Sequence, residues 1–120
     1  MNEIISLSHA KVTLDERGVA CLTIHTENHL NILGSPVVAD LHQALAQLAT
    51  MKEIRVLILR GQGDKAFVAG ANIKEMANLD RQRAEAFISR LCDLCEAVRH
   101  FPAPVIARIP GWCLGAGLEL

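Results

Sequence analysis

The sequence predicts an α/β fold in which helices cover a partly parallel sheet. Residues 53 to 60 hold a nearly continuous apolar run, Ile54, Val56, Leu57, Ile58 and Leu59. Such a run is expected of a strand buried on both faces. Two amphipathic helical stretches, residues 35 to 49 and 80 to 100, lie on either side of it in the chain. The resulting order is strand pair, helix, strand, helix, strand and glycine-rich turn, the alternation that produces parallel crossovers.

Residues 4 to 14 alternate through Ile5, Leu7, Val12 and Leu14 and predict one strand. Asp15-Glu16-Arg17-Gly18 supplies a turn, and residues 19 to 24 predict the second strand of a hairpin. Residues 25 to 34 are polar and irregular, with Asn28, Asn31 and Gly34 as breakers. Ser35 followed by Pro36 predicts a serine N-cap with proline at the first helical position. Val37, Leu41, Ala44, Leu45 and Leu48 then share one helical face. Over residues 80 to 100 the stripe is Ala84, Phe87, Ile88, Leu91, Leu94, Cys95 and Val98. Pro102 and Pro104 stop that helix, and residues 105 to 109 predict a further strand ending at Pro110-Gly111.

Composition narrows the function classes. The 120 residues, 51% hydrophobic and 21% charged, suit one globular domain. A net charge of −1, no basic block, three Phe, one Trp and no Tyr give nucleic-acid binding no support. The longest uncharged apolar run is about ten residues, half of what a membrane span needs. The start lacks the basic flank and apolar run of a signal peptide. Four cysteines, Cys21, Cys92, Cys95 and Cys113, then predict reduced thiols and a cytoplasmic location.

Several features that suggest chemistry have simpler readings. Cys92 and Cys95 fall inside a predicted helix, with no second pair at zinc spacing, and read as core or surface thiols. His25 and His29 share a helical metal spacing but lie in an irregular stretch, so no metal site is expected. Gly61-Gln62-Gly63 lacks the remainder of any phosphate motif and reads as a tight turn.

Two other stretches differ from these. Residues 65 to 76 and residues 111 to 120 each follow a predicted strand, and each places small residues where a helix would begin. Close helix–strand packing also needs Gly and Ala there. As a pair, however, such junctions can aim two backbone N–H donors at one point, the geometry of an oxyanion hole. Glu119 lies one turn beyond the second junction, between Leu118 and Leu120, where a carboxylate suits acid or base work.

With both stretches in view, nearly the whole chain resembles the N-terminal half of the crotonase superfamily, the enoyl-CoA hydratase/isomerase family. Residues 66 to 76, Ala-Phe-Val-Ala-Gly-Ala-Asn-Ile-Lys-Glu-Met, are similar to its first signature. Residues 104 to 107, Pro-Val-Ile-Ala, followed by residues 111 to 120, Gly-Trp-Cys-Leu-Gly-Ala-Gly-Leu-Glu-Leu, are similar to its second. The resemblance implies a crotonase-like spiral of ββα units, truncated, with residues 1 to 120 forming the N-terminal part of a single domain.

It further implies an acyl-CoA thioester as substrate, no cofactor beyond the coenzyme A of that substrate, and assembly as trimers or dimers of trimers. The N–H groups of Ala71 and Ala116 would form the oxyanion hole. Ala69, Gly70, Ala71, Asn72, Ile73 and Lys74 would line the CoA and acyl pocket, with Gly115 and Ala116 completing it. Glu119 matches the first catalytic glutamate of the hydratases, which implies hydration of a trans-2-enoyl-CoA. A 3,2-enoyl-CoA isomerase and a non-catalytic acyl-CoA-binding module are the alternatives. Asn72 stands where the family usually has aspartate, and Ala116 where it usually has glycine. The segment from 28 to 33 matches an early CoA-contacting segment only loosely.

Overall fold

The computed structural model describes residues 2–120. Three antiparallel strands open the chain: β1 (Asn2–Ser6), β2 (Ala10–Leu14) and β3 (Val19–Ile24). The single strand expected over residues 4 to 14 is thus two strands folded back on each other. Leu7 N–H donates to Ala10 O at 2.8 Å to close the bend. His9 N–H, at its apex, donates to the Asp40 carboxylate at 2.9 Å. The second turn uses Asp15, whose carboxylate accepts the N–H groups of Arg17 and Val19, both at 2.9 Å. Those bonds, Val19's first, hold the Asp15 carboxyl below its ordinary pKa.

Helix α1 (Ser35–Leu48) carries the chain over to β4 (Val56–Gly61), which lies parallel to β3. Next come β5 (Ala66–Val68), α2 (Ile73–Ala77) and the long α3 (Arg81–Arg99). Strand β6 (Val105–Arg108) pairs in parallel with β4, and the chain ends with β7 (Trp112–Cys113) and α4 (Ala116–Glu119). The main sheet therefore runs β1-β2-β3-β4-β6, and β5 and β7 form a second, two-stranded sheet.

The core lies between one face of the main sheet and the two longer helices. Leu22, Ile24, Leu57 and Leu59 meet Leu41, Leu45 and Leu48 of α1, with Leu91 and Leu94 of α3 in the same cluster. Burial along β4 alternates instead of covering both faces: Leu57 and Leu59 are buried, Val56 and Ile58 half-buried. The continuous apolar run thus reports β4's parallel place between β3 and β6, without a second covered face. On α3 the stripe is narrower than expected; Phe87, Leu91 and Leu94 are buried while Ile88 is exposed.

The start of α1 also departs from expectation. Gly34, not Ser35, is the N-cap, and it supplies no side-chain bond. A distant residue takes that role: the Glu75 carboxylate accepts Ser35 N–H at 3.0 Å. A carboxylate satisfies an orphan N–H and suits the positive end of a helix.

Candidate active site

Two strand-to-helix junctions meet at the end of the small sheet. β5 pairs in parallel with β7, Ala66 against Trp112 and Val68 against Cys113. The pairing runs on past the strands, where Leu114 N–H donates to Val68 O at 3.1 Å. Each segment then has a glycine of positive φ followed by alanine. The φ values are +138° at Gly70 and +52° at Gly115, a region side chains other than glycine's avoid. The two turns touch: a Cβ built on Gly115 would lie 3.9 Å from Gly70 Cα. A Cβ at Gly117 would fall 2.1 Å from Val68 O, so the first turn of α4 rests directly on the backbone of β5. The small residues at both junctions therefore serve close packing.

The backbone around Ala71 is selectively satisfied. Ala69 N–H donates to Leu30 O and Asn72 N–H to Leu33 O, both at 3.0 Å. Leu33 N–H donates to Gly70 O at 2.9 Å. Among the described residues, the N–H groups of Gly70 and Ala71 have no acceptor, and neither do those of Gly115 and Ala116. Of the four residues, Ala116 is buried, Gly70 and Ala71 are half-buried and Gly115 is exposed; a buried backbone donor without a partner, as at Ala116, is rare. Neighbouring free donors at two touching turns can together receive one oxygen atom.

A groove of about 340 Å³ lies over the first turn, lined by Asn28, Ile32, Ala71, Asn72, Ile73 and Lys74. Four of the expected binding residues share it, and Ala69, Gly70, Gly115 and Ala116 form the adjoining junction. Asn72 is occupied as the N-cap of α2, its Oδ1 accepting Glu75 N–H at 3.0 Å. Glu119 is exposed and lines a separate depression of about 240 Å³ with Ile88, Leu91, Cys92, Cys95 and Glu96. Burial pushes the Cys95 thiol up, and the Glu119 carboxylate adds to it. The cysteines are free thiols, and no described cluster of His, Cys, Asp or Glu is arranged to hold a metal ion.

The sequence reading missed Asn31. It counts there as a loop breaker, yet it is fully buried, with φ +56°. Besides nearby Thr26 and His29, its amide reaches Gln62 and Ala66, 31 and 35 residues away, and no local signal marks those bonds.

The enoyl-CoA hydratase/isomerase family model matches residues 15–120. The chain belongs to the enoyl-CoA hydratase/isomerase family. It is 38% identical over 104 residues to enoyl-CoA hydratase domain-containing protein 2, mitochondrial, of Bos taurus, covering 87% of this chain and 35% of that protein. It is 32% identical over 106 residues to human methylglutaconyl-CoA hydratase, mitochondrial, covering 88% of this chain and 31% of that one. Among solved structures, an enoyl-CoA hydratase from Bacillus anthracis superposes with a TM-score of 0.87 at 33% identity, over 93% of this chain and 43% of that one. One from Mycobacterium smegmatis gives 0.80 at 36% identity, over 86% and 40%. The α/β architecture is thus a portion of the crotonase fold, and the chain spans roughly a third of the curated relatives it matches. No described helix is long and apolar enough to cross a membrane.

Proposed function

We propose that this chain supplies the thioester-binding half of an enoyl-CoA hydratase-type site. The observation that carries the reading is the pair of touching turns, Gly70-Ala71 and Gly115-Ala116, whose N–H groups have no acceptor among the described residues. In this reading Ala71 and Ala116 donate to the carbonyl oxygen of a trans-2-enoyl thioester. Drawing charge onto that oxygen makes C3 electrophilic. Water adds at C3, giving up a proton to a carboxylate, and the enolate held by the two donors takes a proton at C2. Glu119 is the acid/base group on this side. Each donor contributes about 3 kcal/mol to lowering the barrier. The groove over Ala71 takes the CoA side, with Lys74 supplying positive charge near the phosphates. No cofactor enters beyond the coenzyme A of the substrate, and assembly as trimers or dimers of trimers belongs to the same reading.

The test is Glu119→Gln, with turnover and thioester binding measured separately. Hydration is expected to fall by about 10²-fold or more while binding persists; near-normal turnover would sink the assignment. One observation favours a second reading, a thioester-binding module without catalysis: Glu119 and Ala71 line separate depressions. Binding without turnover by the unaltered protein would support it.

A further inference from the structure

We propose that Asn31 is a positioning residue for the Ala71 donor; this rests on the thioester reading above. Asn31 is the one polar residue among the buried side chains described. Its Nδ2 donates to Ala66 O at 3.0 Å and to Gln62 O at 3.3 Å, bridging the end of β4 to the start of β5. Its Oδ1 accepts the Thr26 hydroxyl at 3.2 Å, and its own N–H donates to that hydroxyl at 3.0 Å. Gly61 leaves room for the amide, since a Cβ there would lie 2.1 Å from Nδ2. A buried amide satisfied at both ends is strongly held, because leaving either end unpaired is costly.

That anchor has a definite consequence. Residues on either side of Asn31 are the ones that engage the 69 to 72 backbone. Leu30 O accepts Ala69 N–H, Leu33 N–H donates to Gly70 O, and Leu33 O accepts Asn72 N–H. The segment satisfies the groups flanking the turn and leaves the Ala71 N–H without an acceptor. The amide of Asn31 sets where that segment lies, and so where the donor points. A displacement of about 1 Å at such a donor costs on the order of 10²-fold in rate.

The role is read from the thioester carbonyl itself. A saturated acyl-CoA carrying a ¹³C=O thioester is bound to the chain, and its carbonyl stretch is followed by isotope-edited infrared difference spectroscopy. The unaltered chain is expected to shift the band to lower frequency. Asn31→Asp keeps the shape but replaces the Nδ2 donor with an acceptor. Thr26→Val leaves Asn31 and its bonds to Gln62 and Ala66 in place but frees its other end. Both are expected to lose the Ala71 share, about half, of the band shift and to bind the thioester about 2- to 10-fold more weakly, the worth of one hydrogen bond. Thr26→Val decides the question should Asn31→Asp not fold. Retention of the full shift by a folded variant overturns the role of Asn31 and leaves the thioester reading standing. Absence of the shift in the unaltered chain overturns both.

Discussion

The carboxylate of Glu75 accepts the backbone N–H of Ser35 at 3.0 Å. A residue of α2 therefore caps α1 across 40 positions of sequence. Asn72, three residues earlier, caps α2 by accepting Glu75 N–H. The arrangement is a capping box whose acidic member is diverted to a neighbouring helix. Glu75→Ala is expected to cost about 1 kcal/mol, the usual worth of a helix cap, and to lower the melting temperature by a few degrees. Glu75→Gln should recover part of it, since the amide oxygen still accepts. Identical melts for all three proteins would show that the bond contributes nothing.

Gly115 and Gly117 separate backbone conformation from packing. A Cβ on Gly115 would make only an ordinary contact, 3.9 Å from Gly70 Cα, but the φ of +52° opposes any side chain. Gly115→Ala is expected to cost about 1–2 kcal/mol and to weaken thioester binding by re-aiming the Ala116 N–H. At Gly117 the added methyl would collide with Val68 O. Gly117→Ala is expected to cost about 1–3 kcal/mol as overpacking and to lift α4 from β5. Thermal melts with thioester titrations check both; unchanged binding by both variants would remove the junction from the site.

Cys95 reports on Glu119. Burial and then the Glu119 carboxylate raise its thiol pKa, and Cys92 on the same helix is exposed. Timed alkylation near neutral pH, followed by mass mapping, should modify Cys92 first. Replacing Glu119 by Gln removes a negative charge, lowers the Cys95 pKa toward its ordinary value and increases its thiolate fraction. Faster labelling of Cys95 at constant Cys92 labelling is the expected result. No change at Cys95 would show that Glu119 does not face α3.

The legible parts of the fold were those with a repeating local signal. Apolar residues at helical spacing marked α1 and α3, and Asp15 to Gly18 marked the β2–β3 turn. The bend between β1 and β2 carries neither Gly nor Pro; its bond from His9 to Asp40 is tertiary. Ser35 looked like a cap because serine usually is one, whereas the capping carboxylate comes from Glu75. Strand β5 has three residues, too few for a period. At the site, the two small-residue stretches and their meeting were readable from position and composition. Asn31 was not, because its partners Gln62 and Ala66 lie 31 and 35 residues away. The separate setting of Glu119 against α3 likewise depends on tertiary packing.

The central claim is that the paired turns hold a thioester carbonyl. It is tested most directly by comparing the affinity of an acyl-CoA thioester with that of the matching alkyl-CoA thioether, which has no carbonyl. Two hydrogen bonds of about 0.5–1.5 kcal/mol each should make the thioester bind about 10- to 100-fold more tightly. Equal affinity for the two ligands would contradict the account.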